Sequence, residues 1–312
     1  MESVKFSEDY FEGEYREGFF VESMMKRAWA AQIEVLKEID TVCSRHDISW
    51  FADWGTLLGA ARHHGFIPWD DDIDIVMKRA DLEKFVAVAG KELPSGYGVL
   101  NVNTEDEWDQ VHTRVVNRRK VTFDENELKK FHGCPYAVGV DIFILDYVPR
   151  DSEAKSVQCE LIHALLMLVT LCNEGEADME EHIQQIEQLC GVKLDRNANL
   201  VNQVLRLVDK LCQLYGEAES DNMAEMPYYT EKQEIQMRKE WYDETIFLPF
   251  ETIMIPVPKY YDEALRAMYG DWHKFVRVME GAHDYPFYKA QQAYIDEILE
   301  KSKIANANEW KP

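Results

Sequence analysis

The stretch GFIPWDDDIDIVM, Gly65 to Met77, places Asp70, Asp71, Asp72 and Asp74 within five positions and closes into an apolar run. From Asp72 onward acidic and aliphatic residues alternate, the period of a half-buried strand. Residues two apart on a strand share a face, about 6.5 to 7 Å apart at their Cα atoms. Asp72 and Asp74 therefore project together, while Ile73, Ile75 and Met77 enter the core. Two carboxylates this close repel, so at neutral pH one is protonated or a cation lies between them. A hard divalent ion, Mg2+ or Mn2+, suits oxygen ligands of this kind. A merely solvated acidic turn gives no reason for isoleucine between the acids. A calcium loop of the EF-hand type starting at Asp70 fails at its sixth position, where the sharp turn needs glycine and the chain has Ile75.

Phosphoryl chemistry at a metal calls for a third oxygen ligand from a neighbouring strand. Asp141, in VGVDIFILD, is an acid in the middle of an apolar run, flanked by Val140 and Ile142. A lone buried aspartate is costly unless it is paired or coordinated. It is read either as the third ligand or as the partner of a base such as Arg114 or Arg118. Asp146 is the fallback ligand, with a turn role as its alternative.

These acids need strands and helices to position them. Met24, Ala28, Ala31, Val35, Ile39 and Val42 recur at three- and four-residue steps, predicting an amphipathic helix over 23–47 with Ser23 as its cap. ISWFADW reads as a short strand, GTLLGAARHHG as a helix closed by Gly65, and DIDIVM as a strand. A helix is expected over 80–93, broken by Pro94, Gly96 and Gly98. Strands are expected at 97–102, 109–117 and 120–124, and most strongly at Tyr136 to Pro149. After Pro149 three helical patterns follow, at 152–172, 178–190 and 197–215, with Gly191 and Gly216 as stops. ETIMIPVP returns as a strand, and Tyr260 to Met268 and Pro286 to Lys301 read as closing helices. This predicts an N-terminal segment (1–47), a mixed α/β core (48–150), a helical insert or lid (151–240) and a C-terminal part that completes the core (241–312).

Composition narrows the partners. The chain has 312 residues, 46% hydrophobic and 29% charged, with a mean hydropathy of -0.40, enough for an ordinary core. With 58 acids against 34 bases its net charge is -24, which argues against a nucleic-acid partner. A phosphate-bearing substrate then needs a metal or a few placed bases. The longest nearly pure apolar run, Ala164 to Cys172, is well short of the roughly 20 residues of a membrane span. The N-terminus lacks the basic start and apolar core of a secretory signal. A cytoplasmic protein with peripheral contact to a membrane is expected. Six cysteines without a C-x-x-C pair read as free thiols.

The segment Ala52 to Met77, ADWGTLLGAARHHGFIPWDDDIDIVM, closely resembles the signature of the LicD family of phosphocholine transferases, to which the fukutin proteins are distantly related. Weaker agreement continues through GVDIFILDYVP to IPVPKYYDEALRAMYGDW, so the resemblance spans Ile48 to Trp272 and is thinnest over the helical insert. It implies a nucleotidyltransferase-like fold, α/β with a mixed sheet flanked by helices. In that fold a glycine and a small hydroxyl residue grip phosphate and an Asp-x-Asp strand holds metal. These positions correspond to Gly55, Thr56, Asp72 and Asp74, with Asp141 as third carboxylate. Gly55 and Thr56 stand where a strand meets a helix, whose first backbone N–H groups suit a phosphate. No Gly-Lys-Ser/Thr follows, so this is not a Walker loop.

Arg62, further along the same helix, has a fork of donors for a phosphate oxygen, or pairs with an aspartate. His63 and His64 could shuttle a proton, though adjacent helical residues point apart. Trp69 is a candidate wall for the nucleotide or donor head group. A quaternary ammonium is recognised by aromatic faces, and Trp50, Trp54, Trp69, Tyr136 and Tyr147 are available.

The resemblance implies transfer of phosphocholine, or a similar phospho-alcohol, from CDP-choline or another CDP-alcohol to a sugar hydroxyl, releasing CMP. The acceptor would be a cell-surface glycan such as teichoic acid or lipopolysaccharide, or its lipid-linked precursor. A nucleotidyltransferase that releases pyrophosphate and a non-catalytic nucleotide-binding module are the alternatives. Neither the donor alcohol nor the oligomeric state is written in these residues.

Overall fold

The computed structural model describes residues 3–174, 179–276, 285–297 and 300. The chain enters through a hairpin, β1 (Glu14–Arg16) and β2 (Phe19–Val21), and continues into the long helix α1 (Ser23–His46). Then come β3 (Phe51–Ala52), α2 (Trp54–Arg62), β4 (Asp74–Lys78), α3 (Arg79–Glu92), β5 (Gly98–Leu100), β6 (Thr113–Val116), α4 (Glu125–Lys130) and β7 (Gly139–Pro149). Helices α5 (Ser152–Glu174), α6 (Met179–Cys190) and α7 (Leu200–Cys212) follow. After them lie β8 (Ser220–Ala224), α8 (Met226–Tyr229), β9 (Met237–Arg238), the hairpin β10 (Thr245–Phe250) and β11 (Ile253–Pro258), and α9 (Tyr261–Tyr269).

The central sheet runs β3-β4-β7-β6-β5, and β8 with β9 extends it from the far half of β7. Among the described residues only β4 and β7 pair in parallel, and their register sets Asp74 beside Asp141. Antiparallel β6 sets Arg114 on the other side of Asp141. The strand β7 is a near-continuous apolar run because it is central, with Val140, Ile142 and Leu145 buried between layers.

Helix α1 is more deeply buried than an amphipathic stripe requires. Ala28, Ala31, Val35, Ile39 and Val42 are buried as the periodicity predicts, but so are Met25, Trp29, Ala30, Ile33 and Leu36, while Met24 is only half-buried. A helix apolar around most of its circumference lies inside the molecule. Its cap position is Glu22 rather than Ser23, without a side-chain cap bond.

The hydrophobic core falls into two clusters. One joins α1, the sheet, α2 and the C-terminal hairpin; the other joins α5, α6 and α7 with Val148, Ala224, Met226 and Tyr229. The region after Pro149 is therefore not all helix, since it returns β8 to pair with the last residues of β7. Helix α5 is long and apolar enough by length and composition to cross a membrane; its Cys159, Ile162, Leu165 and Leu168 are buried against its neighbours. All six cysteines are free thiols, four of them buried.

Other expectations need correction. No strand forms at 120–124; there Thr122 N–H bonds Pro135 O at 2.9 Å, and the Asp124 side chain caps α4 by accepting from Asn126 and Glu127 N–H. An aspartate that bonds the backbone two and three residues on favours a helix start over a ladder. The hairpin β1–β2 and strands β8 and β10 were not expected. The closing helix expected over 286–301 is seen at 289–297; 298–299 and 301 lie outside the described residues.

Candidate active site

The acidic turn is held from below by α1. Trp29 Nε1 donates to Asp70 O at 3.0 Å, and Gln32, one turn on, donates Nε2 to Asp71 O at 2.8 Å. The carboxylate oxygens of Asp70, Asp71 and Asp72 come within 4.8 Å of one another. Asp71 is fully buried and accepts a hydrogen bond from Phe287 N–H. Asp74 is fixed at both backbone ends: its N–H donates to Thr56 Oγ1 at 2.9 Å, and its carbonyl accepts from Asp53 N–H at 3.1 Å. Burial, followed by the negative fields of Asp72, Asp141, Asp70 and Asp53, pushes the Asp74 carboxyl well above the usual range. Of the predicted carboxylates, Asp72 and Asp141 act on Asp74 through their charge, whereas the acids whose oxygens lie within reach of one common ion among the described residues are Asp70, Asp71 and Asp72.

Asp141 is paired with Arg114, one of the two bases its sequence reading offered. Arg114 Nη1 lies 3.3 Å from Oδ2, while Oδ1 is buried and accepts no hydrogen bond among the described residues, with His112 Nε2 at 3.4 Å. Arg118 is not its partner; it lies 3.5 Å from Glu127 and over the Phe131 ring. The fallback ligand Asp146 is committed elsewhere. Arg79 binds it bidentately at 2.8 and 2.6 Å and reaches Asp209 of α7 at 2.6 Å, a buried triad that ties the insert to the sheet.

Gly55 and Thr56 sit in the first turn of α2, directly after β3, as the sequence implies. A Cβ on Gly55 would lie 2.2 Å from Asp70 Oδ2, so this glycine lets the acidic turn close onto the helix start. The N-terminal end of a helix carries partial positive charge, which favours that carboxylate and equally a phosphate. Trp54, the first residue of the helix, has φ of 40°, a left-handed value uncommon for a bulky side chain. Its indole Nε1 donates to Glu225 Oε1 at 2.6 Å.

Glu225 was not singled out by any motif, and neither was Asp53. The two buried acids share a hydrogen bond beneath Trp54. Burial raises the Asp53 carboxyl to about 6, and burial with the Asp53 charge raises Glu225 well above the usual range, so the pair holds a proton in the folded protein. Tyr269 joins them: burial first, then the charges of Asp53, Asp70, Asp74 and Glu225, raises its hydroxyl. Trp54, Tyr228 and Tyr269 form an aromatic group, with ring centroids 5.0 and 6.4 Å from that of Trp54. Asp53 precedes the helix signal by one residue and was legible as its cap; Glu225 and Tyr269 come from distant segments.

Arg62 is engaged away from the carboxylates. Arg62 donates from Nη1 to Trp272 O at 3.1 Å and from Nε to His63 Nε2 at 3.0 Å, and bonds no aspartate among the described residues. His63 is held neutral, its pKa lowered to about 4 by burial and the adjacent Arg62 charge. Trp69 packs with Phe19, His63 and Phe275. Of the remaining aromatics, Trp50 is buried and donates to Asp40, and Tyr136 stacks on Tyr288. Trp54, Tyr269 and Tyr285 stand near the acids, the hydroxyls of the two tyrosines being raised by burial and by the aspartate charges.

The comparisons with known proteins agree with this geometry. Residues 47–131 match the family model described as LicD/FKTN/FKRP, nucleotidyltransferase domain, a span that includes α2, the acidic turn and β4. Over 269 residues the chain is 27% identical to the lipopolysaccharide cholinephosphotransferase LicD of Haemophilus influenzae, covering 84% of this chain and 95% of that one. Shorter matches join it to an uncharacterized protein of Rickettsia typhi, 33% identical over 66 residues (21% of each chain). Another, from Rickettsia prowazekii, is 40% identical over 48 residues, 15% of this chain and 18% of that one. A domain match that includes the acidic turn and a relative aligned over 84% of this chain show its similarity to the LicD family.

Proposed function

We propose that the protein transfers phosphocholine, or a similar phospho-alcohol, from a CDP-linked donor to a sugar hydroxyl of a cell-surface glycan or its lipid-linked precursor, with release of CMP. The observation that carries the reading is the parallel register that sets Asp74 beside Asp141, with the negative fields of Asp72 and Asp141 acting on the Asp74 carboxyl. The relative from Haemophilus influenzae, named for choline phosphate and lipopolysaccharide, supports the donor group and a glycan acceptor. The reaction would take place on the cytoplasmic side, where nucleotide-linked donors are made.

The donor set fits a hard divalent ion, Mg2+ or Mn2+: every group is a carboxylate oxygen, and Asp141 Oδ1 is buried without a hydrogen bond. Asp72, Asp74 and one oxygen of Asp141 would hold it. Such an ion neutralises charge on a diphosphate and aligns it for in-line attack. The remaining work falls to the chain. Thr56 fixes Asp74, Arg114 orients Asp141, and the start of α2 offers backbone N–H groups to the donor phosphate. In the transfer, the acceptor O–H bond breaks, its proton passes to the Asp141 carboxylate, and its oxygen bonds the phosphorus. The P–O bond to CMP breaks, and CMP leaves with the electron pair.

Purified protein is incubated with CDP-choline and Mg2+, with and without EDTA, and CMP and pyrophosphate are followed with a panel of sugar acceptors. CMP that disappears with EDTA is the expected result. Asp72→Asn and Asp141→Asn proteins, folded by circular dichroism, should lose at least about a hundredfold, the scale of removing one electrostatic group from a transition state. Retained CMP release in those variants would overturn the reading, and pyrophosphate formation would favour the nucleotidyltransferase alternative.

A further inference from the structure

On the same face of the sheet as Asp141, a cavity of about 350 Å3 lies between β7 and the helices of the insert. Phe143, two residues beyond Asp141 on β7, forms part of its wall. His112 joins the cavity to the acids, with its ring 5.1 Å from that of Phe143 and Nε2 3.4 Å from Asp141 Oδ1. Tyr228, whose ring packs edge-on against Trp54, lines the side towards α2. The cavity therefore borders the carboxylates on one side and reaches away from them under α5.

We infer that this cavity is the acceptor subsite and takes an uncharged sugar ring, with its reacting hydroxyl at the Asp141 end. The inference rests on the transfer reading above and names where the second substrate binds. Charge is the first argument. No lysine or arginine lines the cavity, whereas Asp109, Asp146 and Glu225 do, so a diphosphate is disfavoured there and belongs at the start of α2. Of these acids, Asp146 is bound to Arg79 and Glu225 to Trp54, which leaves Asp109, Gln110 and Asn173 at the exposed rim as polar groups open to a ligand.

Shape is the second argument. Phe143, Val169 and Tyr228 give the cavity an apolar wall, and a pyranose has a matching C–H face and a hydroxyl edge for Asp109 and Gln110. The volume falls within the range of about 300 to 1,000 Å3 typical of small-molecule sites. It is larger than a trimethylammonium group fills, which assigns the cavity to a ring and not to choline.

The test uses the full chain and saturation-transfer NMR with the methyl glycosides of glucose, galactose, N-acetylglucosamine and N-acetylgalactosamine, and with CDP-choline as a separate probe. At least one glycoside should bind wild-type protein. Val169→Trp, which fills the cavity, should weaken that binding at least tenfold and leave CDP-choline binding within twofold. If this variant does not fold, the rim variant Asp109→Ala/Gln110→Ala should show the same split. No glycoside signal, or glycoside binding indifferent to these changes, overturns the inference; loss of CDP-choline binding instead would make the cavity a donor site. CMP release by wild-type protein is read separately. Its absence beside a mapped glycoside site would sink the transfer reading and leave the sugar site standing.

Discussion

At Gly55 a side chain would collide with Asp70, whose Oδ2 stands 2.2 Å from where a Cβ would be. The close approach brings a carboxylate against the positive end of α2 and closes the acidic turn over it. Gly55→Ala should therefore push Asp70 out of place while the fold survives, at a cost of about 1 to 3 kcal/mol, the range for overpacking. The expected outcome is at least a tenfold loss of CMP release from CDP-choline, with an unchanged circular dichroism spectrum. Full activity would show that Asp70 has no part in the reaction. Thr56 carries a different burden: its hydroxyl accepts from Asp74 N–H, so it sets the first residue of β4.

Among the elements, β7 carries the most. It supplies Asp141 to the acids, Asp146 to the buried triad with Arg79 and Asp209, and its last residues to β8. Ile142, fully buried between Ile75 and Thr113, keeps Asp141 in register. Ile142→Ala should lower stability by about 2 to 5 kcal/mol in a urea titration; a cost under 1 kcal/mol would show that the sheet centre repacks freely. The link from α2 to α8 is the Asp53–Glu225 pair under Trp54. Both carboxyls have raised pKa values, so the folded state binds protons more tightly than the unfolded chain. The stability they contribute is complete below about pH 4, the unfolded value, and is lost as pH rises through the folded values, about 6 for Asp53 and well above the usual range for Glu225. Glu225→Gln keeps an acceptor for Trp54 and a donor for Asp53 without a proton to lose. It should match wild type at pH 5 and exceed it at pH 8 by about 1 to 3 kcal/mol, the range for an unsatisfied buried group. Equal melting profiles at pH 8 would exclude this shared proton.

For the whole molecule the net charge is -24, and where the acidic turn meets β4 and β7 the acids raise one another's charge cost. Self-repulsion there opposes folding, and a bound cation would relieve it. A ligand that binds only the folded state at a hundred times its Kd adds about 2.7 kcal/mol. Mg2+ should therefore raise the melting temperature of the wild type beyond what NaCl of equal ionic strength achieves. Asp72→Asn should abolish the difference; its persistence would place the effect elsewhere on the acidic surface. The two core clusters meet along β7, so the insert and the catalytic sheet are joined by both packing and the Arg79 triad.

The spacing of Asp72 and Asp74, the apolar frame of Asp141 and the strand-to-helix step at Gly55 were legible in the sequence, because each depends on local period or on the expense of burying a lone acid. The same holds for the mixed α/β order of the first 150 residues and for the long helices after Pro149. The sequence could not decide partners that come from far along the chain. That Asp141 stands beside Asp74 depends on a parallel pairing of β4 and β7, and such pairings follow from topology, not from local pattern. Arg62 looked suited to phosphate by its place on α2, yet Trp272 and His63 engage it. Asp146 looked like a spare ligand until Arg79, 67 residues away, claimed it. Glu225, Tyr228 and Tyr269 reach the acids only once β8, α8 and α9 have docked, since side chains so remote in sequence are gathered by packing alone.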